Sequence, residues 1–208
     1  IRVFGTVGFI VSMWIVDLSG WQTTSLQFLW SGILSVVLAL YSLTMPKCET
    51  NANKSTGNIA QVLGLEAFKL FKNYRMALFF IFSMLLGCCL QITNGYAGPF
   101  LQSFGINEIY QGTFGVEHSN ILISLSQMSE TLCILLIPFC LSRFGIKKVM
   151  LMSMLAWALR FGFFAIGNPG DGVWLLILSM IVYGIAFDFF NISGSLFVDK
   201  ETDISIRN

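Results

Sequence analysis

Three ionisable residues, Glu130, Arg160 and Asp188, stand inside long apolar runs of this 208-residue chain. A charge at the centre of a bilayer costs about 2.5–3.5 kcal/mol on insertion scales. Such residues therefore face a packed interior or a wet cavity, and they mark ion, proton or substrate paths. The competing structural use is a buried ion pair, Arg160 with Asp188 on successive helices. Gln127 precedes Glu130 by three residues, which places both on one helical face. Gln91 and Asn94 repeat that spacing, with Thr93 and Tyr96 beside them. A carboxamide offers a donor and an acceptor in one plane. The edge of a pyrimidine or purine is its complement, and a carboxylate suits the vicinal hydroxyls of a ribose. Hydrogen bonding between helices is the other use of the same groups. Tyr183 and Phe187, four apart, share a face and could stack on a flat ring or fill a core. Arg2, Thr6 and Phe9 follow one stripe near the chain start, where Arg2 also fits as a positive residue flanking a span.

Soluble-enzyme chemistry has no foothold here. The sequence contains no P-loop, GxSxG or HExxH motif. His118 is its one histidine, which excludes a histidine-based metal cluster or relay. The five cysteines, Cys48, Cys88, Cys89, Cys133 and Cys140, form no CxxC or Cys/His set, and all but Cys48 lie in apolar runs. They read as small buried hydrophobes. No metal or cofactor is expected, and no enzyme activity. A net charge of +1 makes nucleic acid a poor candidate partner.

The elements that must position these residues are membrane helices. The chain is 55% hydrophobic and 11% charged, against about 25% charged in a soluble domain. Its 20 Phe and 5 Trp suit lipid-facing and interfacial positions. A span needs about 20 mostly apolar residues. Six stretches are candidates: 2–16 (expected to begin before residue 1), 26–45 (ended by Pro46), 75–96, 120–141, 149–166 (ended by Gly167-Asn168-Pro169-Gly170) and 173–198. The one long polar stretch, 47–73, ends in Leu65-Glu66-Ala67-Phe68-Lys69-Leu70-Phe71-Lys72, whose alternating faces suggest a short helix in the membrane interface. With six crossings, eleven of the twelve Lys and Arg fall on one side, Arg160 being the exception. Asp17, Glu108, Glu117 and Asp171 fall on the other. The positive side is the cytoplasmic one, so both chain ends are expected there. The chain starts within a helical pattern at Ile1 and stops in polar residues, and we expect it to be an excised part of a longer protein. Gly5, Gly8, Gly87, Gly184 and Ser193-Gly194-Ser195 suit close helix packing in lipid. Asp188 lies about 22 Å along the sixth span at 1.5 Å per residue, past the midplane, where an acid can carry a proton between the two sides.

Four segments carry a resemblance: Arg2-Val3-Phe4-Gly5-Thr6-Val7-Gly8-Phe9-Ile10, Leu90-Gln91-Ile92-Thr93-Asn94, His118 through Thr131, and Tyr183-Gly184-Ile185-Ala186-Phe187-Asp188-Phe189-Phe190-Asn191-Ile192-Ser193-Gly194. With them the chain resembles, along its whole length, the nucleoside:proton symporter family of the major facilitator superfamily, the bacterial nucleoside permeases. Leu141-Ser142-Arg143-Phe144-Gly145-Ile146-Lys147-Lys148 is similar to the superfamily's basic D-R-x-G-R-R loop, with Ser142 where Asp is usual. The resemblance implies an all-α polytopic membrane protein, here helices five to ten of a twelve-helix fold in the bacterial inner membrane. Residues 1–45 would close the N-terminal lobe, 46–74 would be the cytoplasmic inter-lobe loop, and 75–208 would open the C-terminal lobe. It implies substrate contacts at Arg2, Thr6, Phe9, Gln91, Asn94, Gln127, Glu130, Tyr183 and Phe187, with Asp188 as the proton-coupling acid. Glu130 and Arg160, the other two charges within spans, are candidates to assist it. The implied partners are a nucleoside, protons, lipid and the remaining helices of the full-length chain. Competing readings are a sugar or other polar-metabolite symporter of the same superfamily, and a membrane sensor that binds without transporting.

Overall fold

The computed structural model describes residues 2–46 and 71–201. The Arg2 side chain, most of the expected inter-lobe loop and interfacial helix, and the chain end after Glu201 lie outside the described residues. The described residues form six helices: α1 Arg2–Leu18, α2 Leu26–Ser42, α3 Tyr74–Ser103, the single turn α4 Phe114–Glu117, α5 Ser119–Ile166 and α6 Val173–Glu201. Two 3₁₀ turns, Phe104–Ile106 and Glu108–Tyr110, link α3 to α4. Three helices, α3, α5 and α6, are long and apolar enough to cross a membrane, while α1 and α2 are shorter apolar helices.

Two expected spans, 120–141 and 149–166, are the two helical limbs of α5, which follow one another with only Gly145 non-helical between them. A straight α5 of 48 residues would measure about 72 Å, more than twice the ~30 Å hydrocarbon core. It bends at Gly145, where φ is 77° and ψ is 164°. Positive φ of this kind is open to glycine and strained for other residues. The turn thus needs no loop, because one glycine reverses the chain. The third span also runs past its expected end, continuing through Pro99 to Ser103.

The contacts fix how the limbs run. Cys133 and Ile137 of the first limb meet Val149 of the second, together with Phe189 of α6. Arg160, near the far end of the second limb, reaches Ser126 of the first. The limbs are therefore antiparallel. Leu122 packs with Leu176 and Met180 at one end of α6, so α6 runs alongside the first limb in the same direction.

Small residues make this three-helix core possible. A Cβ added at Gly184 would lie 2.5 Å from the carbonyl oxygen of Ser129, so α6 and the first limb approach backbone to backbone. Serine hydroxyls close the same seams. Ser129 donates to the Ile181 carbonyl, Ser153 to the Ala186 carbonyl at 2.5 Å and Ser179 to the Arg160 carbonyl at 3.0 Å. In lipid an apolar face gains nothing by turning inward, so close packing and hydrogen bonds of this kind drive helix association. α3 lies along the outside of the core, inserting Leu101 beside Leu122 and stacking Phe79 on Phe190, centroids 5.9 Å apart.

Candidate functional site

Four passages of helix converge around Tyr183. Its ring is 3% exposed. The guanidinium carbon of Arg160 sits 4.5 Å from the ring centroid, within cation–π range. Phe187, one turn on, stacks parallel at 5.6 Å, and Trp157 stands edge-on at 6.1 Å. Asn94 of α3 faces the Tyr183 hydroxyl, and Glu130, Arg160 and Asp188 lie around it. Glu130 and Asp188 are both buried, at 7% and fully.

Arg160 is 2% exposed. It donates from Nη1 to the Ser179 carbonyl at 2.9 Å and to Ser126 Oγ at 3.5 Å, and its guanidinium also lies 5.3 Å from the Phe164 ring. These bonds staple both limbs of α5 to α6. The register explains why Arg160 pairs with a ring and a carbonyl instead of closing an ion pair with Asp188. Antiparallel packing sets residue 160 opposite 179 and residue 153 opposite 186. Asp188 is then five residues beyond Tyr183, about 7.5 Å further along the helix.

Most of the residues singled out from sequence fall around this cluster. Asn94, Glu130, Arg160, Tyr183, Phe187 and Asp188 are brought together. Gln127 is half-buried on the Glu130 face, and Gln91 is exposed on α3. Beside them, α3 and α6 enclose a groove of 290 Å³ lined in part by Leu86, Leu90, Trp157 and Phe187. Thr6 is buried and Phe9 is 53% exposed on α1. α1 meets α5 at its other end, where Trp14 Nε1 donates to Ser124 Oγ at 2.8 Å. Tyr183 offers a bound ligand its hydroxyl more readily than a face, because its ring is already enclosed. Trp157 was missed in the sequence reading. Its signal was the spacing of three to Arg160, which sets both on one face of the second limb. Among the described residues no group of three or more His, Cys, Asp or Glu could hold a metal ion.

Apolar helices that bury two carboxylates and a guanidinium, with carboxamides opening beside them, have the build of a membrane transporter. The chain belongs to the nucleoside H+ symporter family, whose model matches it over residues 1–208. It is 58% identical to the xanthosine permease of Escherichia coli (strain K12), over all of this chain and 50% of the relative. It is 53% identical to the nucleoside permease NupG of the same organism, again over all of this chain and 50% of the relative. The chain thus spans about half the length of the curated relatives it matches. A crystal structure of an aspartate-to-alanine variant of the nucleoside transporter NupG superposes with a TM-score of 0.93 at 53% identity, covering 99% of this chain and 52% of the other. A second NupG crystal structure superposes at 0.87 over the whole chain and 51% of the other. The expected fold class holds: this is an all-helical, multi-pass membrane protein, corresponding to about half of a major facilitator transporter.

Proposed function

We propose that this chain forms the middle part of a proton-coupled nucleoside transporter that works by alternating access, moving its substrate without chemical change. Residues 1–45 would end the N-terminal lobe and 75–208 would begin the C-terminal lobe, with 46–74 linking them in the cytoplasm. Both chain ends would be cytoplasmic, in the bacterial inner membrane. The observation that carries this reading is the burial of Glu130, Arg160 and Asp188 on the helices around Tyr183, with the Arg160 guanidinium 4.5 Å from its ring centroid. Gln127 and Glu130 would hold the ribose, and Gln91 and Asn94 would read the base edge. Phe187 and Phe9 would bound the ring and Tyr183 would offer its hydroxyl, with Thr6 and Arg2 completing the site from α1. Asp188 would carry the coupled proton, with Glu130 and Arg160 setting the charge around it.

The family description and the printed names of the relatives, a xanthosine permease and nucleoside permeases, support this substrate class. The test is uptake of radiolabelled uridine by the full-length protein. Accumulation that a protonophore abolishes is expected. Uptake that ignores the protonophore would sink the coupling, and binding without uptake would favour a sensor.

A further inference from the structure

Polar side chains from four separate stretches meet at the end of the bundle remote from Gly145. Asp17, in the last turn of α1, has a fully buried side chain. His118 Nδ1 lies 2.7 Å from its Oδ2. Gln22 donates from Nε2 to the other carboxylate oxygen and to the Glu117 carbonyl at 3.0 Å. Ser119 Oγ donates to Gln22 Oε1 at 3.0 Å. Gln102, from the end of α3, reaches Ser119 Oγ at 3.3 Å and Gln22 Oε1 at 3.5 Å. One turn back along α1, Trp14 is bonded to Ser124. Toward the start of α1 most side chains open out, with Phe4 82%, Val7 47% and Phe9 53% exposed and Thr6 buried among them. α1 is thus held to α5 through one end.

The chemistry of that end differs from the rest of the bundle. α5 and α6 interlock through glycine, serine and apolar side chains, and separating them would leave voids with no replacement contacts. The Asp17 cluster consists of groups that water can satisfy equally well. A protein hydrogen bond exchanged for one to water changes free energy by only about 0.5–1.5 kcal/mol. A buried carboxylate is costly without partners, so this contact is complete or it opens into solvent, with little held in between.

We propose that Asp17, His118 and Gln22 form a latch. It clasps the end of α1 to the start of α5 in the state described here, and it parts, with water taking over the partners of Asp17, when the cleft opens toward that side. That side bears Asp17, Glu108, Glu117 and Asp171 and is the expected outer face. The inference rests on the transporter reading above and adds the gate to it.

The test uses the full-length transporter. Asp17→Cys and His118→Cys together, joined through two mixed disulfides by a short bis-methanethiosulfonate, should cut uridine uptake more than tenfold, with reduction of the disulfides restoring it. Wild-type protein given the same reagent controls for the native cysteines. Uptake that persists with the two positions linked overturns the latch. A second measurement covers loss of function in the unlinked double variant. Spin labels at the exposed positions Thr23→Cys and Ile109→Cys should report mainly short distances, and adding Asp17→Asn should shift the population several-fold toward longer ones. An unchanged distribution in Asp17→Asn also overturns it. Failure of unmodified full-length protein to take up any nucleoside would instead count against the transporter reading.

Discussion

α3 and α6 are equally apolar by sequence, yet they sit in the molecule quite differently. In its most apolar window α6 has 44% of its residues buried within the protein, and α3 has 11%. The difference lies in the small and hydroxylated residues. α6 presents Ser179, Gly184, Ala186, Ser193 and Gly194 among its buried positions. α3 buries only Met76, Thr93, Ala97 and Leu101, and its Gly87 and Gly95 have nothing against them. In a membrane, apolarity says that a helix is in lipid. Small residues say which face touches another helix. Polar residues that stay exposed on such a helix, like Gln91 and Asn94, mark the face that another partner must satisfy.

The sharpest way to break this comparison is to fill the glycine seam. Gly184→Leu would drive a side chain into the Ser129 backbone, 2.5 Å from where its first carbon would stand. Overpacking a tight site commonly costs about 1–3 kcal/mol or more, and here the obstacle is backbone, which cannot swing aside. The expected outcome is loss of folded, membrane-extracted protein by size-exclusion chromatography, and with it every activity. Gly87→Leu on α3 should leave a monodisperse peak. Equal damage from both would show that glycine position does not report packing.

How much of this was legible in advance follows from the same contrast. The membrane character, the helical class and the buried charges could be read because lipid penalises charge so strongly that Glu130, Arg160 and Asp188 stand out singly. Register could not be read. Nothing local says that residue 160 falls opposite 179, which decides that Arg160 meets Tyr183 and a carbonyl. The reversal between residues 141 and 149 followed from the span count, but its form did not: Leu141 to Lys148 looks like a polar loop and is helical on both sides of Gly145. The pairing of Asp17 with His118 was also out of reach, because the two residues lie 101 positions apart.

On the packed helix, the next largest effect belongs to Asp188. Asp188→Asn in the full-length transporter should abolish proton-driven accumulation while leaving counterflow exchange largely intact. An amide keeps the size of the carboxylate and cannot gain or lose a proton in this range. Because Arg160 is held by Ser179 and the Tyr183 ring, neutralising Asp188 should leave it in place and the protein well expressed. Poor expression with all activities lost together would return Asp188 to a structural role. A well-expressed variant that still concentrates nucleoside would remove it from coupling.

Glu130, on the limb that α6 packs against, should show an intermediate effect. Glu130→Gln should weaken nucleoside binding about tenfold, or ~1.4 kcal/mol, the scale of a hydrogen bond to a charged group. Isothermal titration of the purified full-length variant measures this. Unchanged affinity would take Glu130 out of the site.

The smallest effect is expected on α3, and it tests whether the exposed carboxamides there are a binding face. Gln91 is exposed and just under one turn from Asn94, on the same face, and Asn94 already lies near the Tyr183 hydroxyl. A neutral hydrogen bond contributes about 0.5–1.5 kcal/mol net. Gln91→Ala should therefore weaken uridine binding roughly threefold to tenfold, with no change in thermal stability, because its side chain packs against little. The comparison with free ribose makes the assignment specific. If Gln91 reads the base edge, wild-type protein should bind uridine far more tightly than ribose, and Gln91→Ala should narrow that gap by lowering uridine affinity alone. Equal losses for uridine and ribose would move Gln91 to the sugar. No loss for either would make α3 a lipid-facing helix whose carboxamides serve its neighbours, and the contrast with α6 would then be one of packing only.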